Sequence, residues 1–362
     1  MSLVSSSGEM GYEYMQIKHP LNFVVPDTHV WPELKGWDGS RLDDQLLSDR
    51  SDDILDSWVI RTFYQLRLAG ETDMTISSTT KRDAINFVGA RQFGRKERDP
   101  LAFIVVPQGD AHHSELANFR IQQNGVRPER DDSATIWHWP QPGIIPRDAE
   151  RGTRFESLCY KGRILNLDED FRSDAFLSAI KELGITFDVD GYNGERGEQN
   201  WNNYSQYDAV LAIRNLTVYD VSKKPASKLV NAWFAELPAL LGPEPAYREL
   251  GTPGEDYIEV CNQRDILDAL AMLRDNPDRF ARIVENGKRQ RGRFTEEALT
   301  RMWLDTLSGP VSEHFERWQR MPVWSRLFRS ISGMIQEPRS KAQDKRDYLD
   351  GERLLDVHRA RQ

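Results

Sequence analysis

The chain is 362 residues long, more than one ordinary compact core holds, so two domains are expected. With 39% hydrophobic and 29% charged residues it reads as globular, and no apolar run reaches the roughly 18 to 20 residues of a membrane-spanning helix. A net charge of −9 disfavours general nucleic-acid binding; the opening MSLVSSSGEMGYEY lacks a basic, apolar leader, and a pair of cysteines, Cys159 and Cys261, fits a reducing, cytoplasmic setting.

In chain order, short apolar runs alternate with helical patterns. LNFVV (Leu21 to Val25), MTISS (Met74 to Ser78), AFIVVP (Ala102 to Pro107), NFRIQQ (Asn118 to Gln123) and ATIWHW (Ala134 to Trp139) read as buried strands. Between the first two, DSWVIRTFYQLRLAG sets Trp58, Ile60, Phe63 and Leu66 at helical spacing before Gly70. The alternation predicts a layered α/β domain over residues 1–145. Pro140, Pro142 and Pro146 then stiffen a linker.

A second α/β run follows over residues 146–310. Its elements are strand ESLCYKG, helix SDAFLSAIKELG, strands ITFDV and DAVLAIR, a helix from Pro225, strand PALLG, helix PAYREL, strand YIEV and helices after Asp265. Residues 311–336 form an amphipathic segment in which Trp318, Met321, Trp324, Leu327, Phe328 and Ile331 alternate with arginines, broken or restarted at Pro322. Two readings fit it: a helix packing back on the first domain, or a peripheral anchor to the inner face of an anionic membrane. Residues 337–362 are rich in charge and read as a solvated tail.

The chemistry concentrates in KPASKLVNAWFAELPALLGPE, Lys224 to Glu244. Ser227 and Lys228 fall at a helix start, where free backbone N–H groups and the dipole favour an anion. Arg214, at the carboxyl end of DAVLAIR, adds a planar fork suited to phosphate. Ligands of open α/β sheets bind beyond those carboxyl ends. Glu244, after the Gly242-Pro243 turn, would bring a carboxylate to the same rim to accept bonds from sugar hydroxyls.

Extended to KPASKLVNAWFAELPALLGPEPAYREL, the segment resembles the donor-binding part of GT-B glycosyltransferases, with YKGR, YDAVLAIR and NPDRFARIVENGKRQRGRFTEEALTRMWLDTL in the expected order around it. The resemblance covers residues from about Pro140 to Leu307. It implies two Rossmann-like domains facing across a cleft, with a C-terminal helix crossing back to the N-terminal domain. It further implies a nucleotide-sugar donor on the second domain, a glycan, lipid-linked or small-molecule acceptor on the first, and neither metal nor other cofactor. Arg163, Arg214, Ser227, Lys228, Asn231 and Glu244 would then bind the donor. Where retaining members carry two glutamates eight positions apart this chain has Lys223 and Asn231, and Glu236 stands where many have glycine. A sugar-nucleotide epimerase and a non-catalytic binding module therefore stay open beside the transferase.

Candidates for acid–base work lie in the first domain. Asp27 and His29 follow its first strand, where inverting members place a base, although Asp27 also suits a simple turn cap after Pro26. His112 and His113 stand at a strand end facing the cleft, and adjacent histidines without further ligands make a poor metal site. DVD at Asp188 to Asp190 and STTK at Ser78 to Lys81 lack the context of the motifs they mimic, and neither G-x-G-x-x-G nor a Walker loop occurs.

Overall fold

The computed structural model describes residues 17–26, 31–34, 37–51, 53–91, 98–192, 200–214 and 216–360, with backbone only at 190–192. Asp27 and His29 lie outside the described residues.

The first unit is a six-stranded, wholly parallel sheet made of β1 (Leu21–Val24), β2 (Met74–Ser77), β3 (Ile85–Val88), β4 (Phe103–Pro107), β5 (Phe119–Gln122) and β6 (Ser133–Thr135), in the order β2-β1-β3-β4-β5-β6. Every residue of β1, β3 and β4 is buried, as expected of parallel strands covered on both faces. Helix α1 (Asp44–Arg50) is capped by Asp43, whose carboxylate accepts from the Gln45 and Leu46 amides, and α2 (Arg61–Leu68) continues a π-helical turn at Leu55–Ile60. Strand β3 was not anticipated: in INFV the polar Asn86 interrupts what would otherwise be a short apolar run. The expected strand through Trp139 stops at Thr135, leaving Ile136 to Trp139 to run into the linker.

The second unit holds β7 (Ser157–Arg163), α3 (Asp174–Glu182), β8 (Thr186–Tyr192), β9 (Ala209–Ala212), α4 (Val218–Val221), α5 (Ser227–Phe234), β10 (Ala239–Leu241), α6 (Pro245–Leu250), β11 (Ile258–Glu259), α7 (Gln263–Asp275) and α8 (Pro277–Arg291). Its five parallel strands run β11-β10-β9-β7-β8, so the order reverses between β7 and β9. That reversal opens a crevice at the carboxyl ends of β7 and β9, the preferred ligand position in this topology. Two Rossmann-like sheets facing across a cleft, with a C-terminal return, make the GT-B architecture.

The return begins earlier than residue 311. Helices α9 (Glu296–Thr306) and α10 (Ser312–Arg320), with the π-helical turn Leu307–Val311 that joins them, place Leu299, Trp303, Leu307, Val311, Phe315 and Trp318 in the core of the first unit. Trp303 sits 6.2 Å from the Trp58 ring and 5.9 Å from Phe87. Helix α11 (Val323–Leu349) then spans both units. The supposed solvated tail is also ordered: α12 (Leu354–Arg359) buries Leu354 and Leu355, the latter in the core of the second unit, and the Leu354 amide donates to the Leu216 carbonyl at 3.0 Å. Two adjacent leucines amid charge supply the apolar surface that fixes this segment.

Candidate active site

A cavity of about 310 Å³ separates the two units. Its second-unit wall gathers Arg163, Arg214, Ser227, Lys228 and Asn231, five of the donor-binding residues expected from sequence. Topology explains the convergence: Arg163 ends β7, Arg214 follows β9, and α5 begins beside them at the point where strand order reverses. The N-cap of α5, Ala226, offers no side-chain bond to the first amides of that helix, which leaves them to the cleft.

Lys228 is not the mobile ammonium expected of a helix start. Its Nζ donates to the Lys161 carbonyl and lies 5.2 Å above the Trp201 ring. Desolvation, followed by the charge of Arg214, pulls its pKa down to about 7. Cations pressed together in this way form a site whose electrostatic deficit an anion relieves.

Glu244 corrects the sequence reading. It is buried and absent from the cavity lining, and both its oxygens are taken by Arg214: Nε to Oε1 at 2.7 Å and Nη2 to Oε2 at 2.6 Å. The Tyr247 hydroxyl accepts a third bond from Nη2 at 3.0 Å. The turn after β10 tucks the carboxylate beneath the arginine, so Glu244 orients Arg214 instead of meeting a sugar hydroxyl. Against the desolvation of its buried position, Glu244 holds Arg214 firmly in the charged form. Asn231 is partly committed as well, since its Oδ1 accepts from the Gln141 amide of the linker at 3.1 Å.

His112 does not reach the cleft. Its Nε2 lies 2.6 Å from Glu337 Oε1 on α11, and the Glu115 amide and Ser114 hydroxyl donate to the other oxygen at 2.8 and 3.2 Å. It fastens the returning helix to the first unit.

The first-unit wall instead carries His138, Asp110 and Asp53, none of which stood out in sequence. His138 Nδ1 lies 2.6 Å from the Trp139 carbonyl, which can only accept, so the proton sits on Nδ1 and Nε2 is left as a base. The Trp58 ring meets the imidazole edge-on at 5.4 Å. Desolvation lowers the His138 pKa below its ordinary value, keeping it neutral near pH 7. Asp110 accepts from Lys224 Nζ at 2.9 Å and Gln123 Nε2 at 2.8 Å; burial raises its pKa, but the Lys224 charge and these bonds outweigh that and leave it lowered. Asn124 Nδ2 donates to the Ser222 and Lys224 carbonyls at 3.1 and 2.8 Å, so the units are latched together in front of α5. The single sequence signal for His138 was its place at the end of an apolar run, next to the linker. Among the described residues no cluster of His, Cys, Asp and Glu suits a metal ion.

No protein-family model matches the chain, and no curated protein matches it in sequence. Solved structures resemble it at low identity. An α1,3-fucosyltransferase with GDP aligns at TM-score 0.48 and 11% identity, over 84% of this chain and 94% of that one. HepE from Anabaena, in complex with UDP and glucose, aligns at 0.46 and 10%, over 80% and 99%. TarM aligns at 0.41 and 10% over 69% of this chain, which spans 58% of the TarM chain.

Proposed function

We propose that the chain is a glycosyltransferase that moves a sugar from a nucleoside diphosphate donor to a hydroxyl acceptor. The observation that carries this reading is the meeting of Arg163, Arg214, Lys228 and the uncapped start of α5 at the strand-order reversal, opposite a neutral histidine with a free Nε2. The cations stabilise the diphosphate as its bond to the sugar breaks, where the largest negative charge develops. His138 Nε2 accepts the proton of the attacking hydroxyl. The latch between Asp110 and Lys224 closes the cleft against water that would hydrolyse the donor. The acceptor is a hydroxyl-bearing molecule, and a lipid-linked one would require the enzyme to work at a membrane surface, in a cytoplasmic setting at its inner face.

Thermal unfolding against a panel of nucleoside diphosphates and monophosphates tests the reading, because a ligand at 100 times its Kd stabilises by about 2.7 kcal/mol. One diphosphate is expected to raise Tm in the wild type and not in Lys228→Ala. Release of that diphosphate from its sugar conjugate, dependent on added acceptor, then separates transfer from epimerisation. Absence of any nucleotide shift would move the chain to the non-catalytic binding class.

A further inference from the structure

Helix α11 has two dissimilar faces. Inward, Ser330 Oγ donates to the Pro100 carbonyl at 2.5 Å, and a Cβ on Gly333 would fall 2.5 Å from the Glu115 carbonyl oxygen. Glu337 accepts the bonds from the His112 segment, and farther along Asp344 accepts from Tyr219 and, at 3.3 Å, from Lys223 Nζ in the second unit. Outward, Trp324, Phe328, Ile331 and Ile335 recur at steps of four, three and four residues, one continuous helical stripe. Trp324 and Phe328 are each 72% exposed, which is unusual for large apolar side chains in a row. Beyond Pro338 the same face continues with exposed Arg339, Lys345, Arg346 and Leu349.

The charges are sorted as well. In a chain of net charge −9, the acids of this helix are Glu337, Asp344 and Asp347, spent on His112, Tyr219, Lys223 and Gln343, and all three fall on the body side. The outward face therefore offers apolar rings at one end, basic groups at the other and no carboxylate. No helix among the described residues is long and apolar enough to cross a membrane.

We propose that the outward face of α11, from Trp324 to Leu349, docks on the surface of an anionic lipid bilayer. The rings enter the boundary between headgroups and acyl chains, and Arg339, Lys345 and Arg346 lie along the anionic headgroups. A second copy of the chain suits the face poorly. Antiparallel pairing would cover its cations with apolar rings, and parallel pairing would set cation against cation, with no acid to neutralise either. This proposal stands apart from the reading of the cleft.

Co-sedimentation of the full chain with lipid vesicles tests it. The chain is expected to bind phosphatidylcholine–phosphatidylglycerol vesicles, to ignore phosphatidylcholine alone, and to detach in high salt. The double variant Trp324→Ser, Phe328→Ser should lose binding while keeping its Tm, because both rings are exposed. Arg339→Glu with Lys345→Glu should lower the partition coefficient at least roughly tenfold. Failure of the wild type to bind the anionic vesicles overturns the proposal, as does binding that survives removal of both rings. A concentration-dependent dimer that disappears in the double variant would also overturn it, naming a second copy as the occupant.

Discussion

Glu244, buried behind the cleft wall, meets the wall residue Arg214 side by side in a two-bond pair. Removing the carboxylate alone strands an arginine in a site it cannot leave. Glu244→Ala is therefore expected to cost about 3 to 5 kcal/mol of stability, the usual penalty for breaking a buried pair. The double variant Arg214→Met, Glu244→Leu should recover most of that loss while abolishing nucleotide-dependent stabilisation. Chemical denaturation with and without the diphosphate reads both effects. A Glu244→Ala protein as stable as wild type would show that the pair does not position the arginine.

Lys228 ties stability and binding to pH in opposite directions. Its pKa falls from 10.5 to about 7 on folding, so between those values the unfolded chain binds more protons and stability rises with pH. Near pH 7 the lysine opposes folding, and Lys228→Met should raise the unfolding free energy by roughly 4 kcal/mol, an advantage that fades toward pH 10.5. Anion binding needs the ammonium, so diphosphate affinity of the wild type should drop roughly tenfold per pH unit above pH 7. Calorimetric titration of both proteins from pH 6 to 9 checks this; parallel pH profiles would exclude Lys228 from the anion site.

His138 separates chemistry from binding. Replacing it by Gln keeps a polar group but removes the base, and turnover is expected to fall by about 10²- to 10⁴-fold with little change in diphosphate affinity. Because desolvation lowers its pKa, His138 should give the wild-type turnover profile an acid limb below pH 6.5, as Nε2 becomes protonated, separate from the alkaline loss set by Lys228. Retention of that acid limb in His138→Gln would assign it to another group.

Much of the second unit was legible because its signals are local. Pro225, the apolar face of α5 and the strands around it announce themselves by periodicity, and the cations Arg163, Arg214 and Lys228 follow from strand ends and a helix start. What escaped depends on distance along the chain. Whether Glu244 faces a ligand or Arg214 is decided across 30 residues, and whether His112 faces the cleft or Glu337 across 225. His138 looked like strand interior, since nothing in ATIWHW says that pairing ends at Thr135. The early return at Glu296 was hidden because helices α8 and α9 carry similar amphipathic patterns while packing on different units.

Glu236 shows the opposite case, a strained position that sequence did flag. Its φ of +58° makes it the one non-glycine residue with positive φ among those described, at the turn between α5 and β10. The side chain compensates by pairing with Lys288 Nζ at 2.6 Å and Arg291 Nη1 at 3.0 Å on α8. Alanine there keeps the left-handed backbone and loses the pairs, whereas glycine loses the pairs and relaxes the backbone. Glu236→Gly is therefore expected to be more stable than Glu236→Ala by about 1 kcal/mol, against the usual order of these residues next to a helix. Paired urea titrations decide it: Ala above Gly would mean that the turn relaxes to ordinary backbone once the ion pairs are gone, and that α8, through Glu236, imposes the conformation.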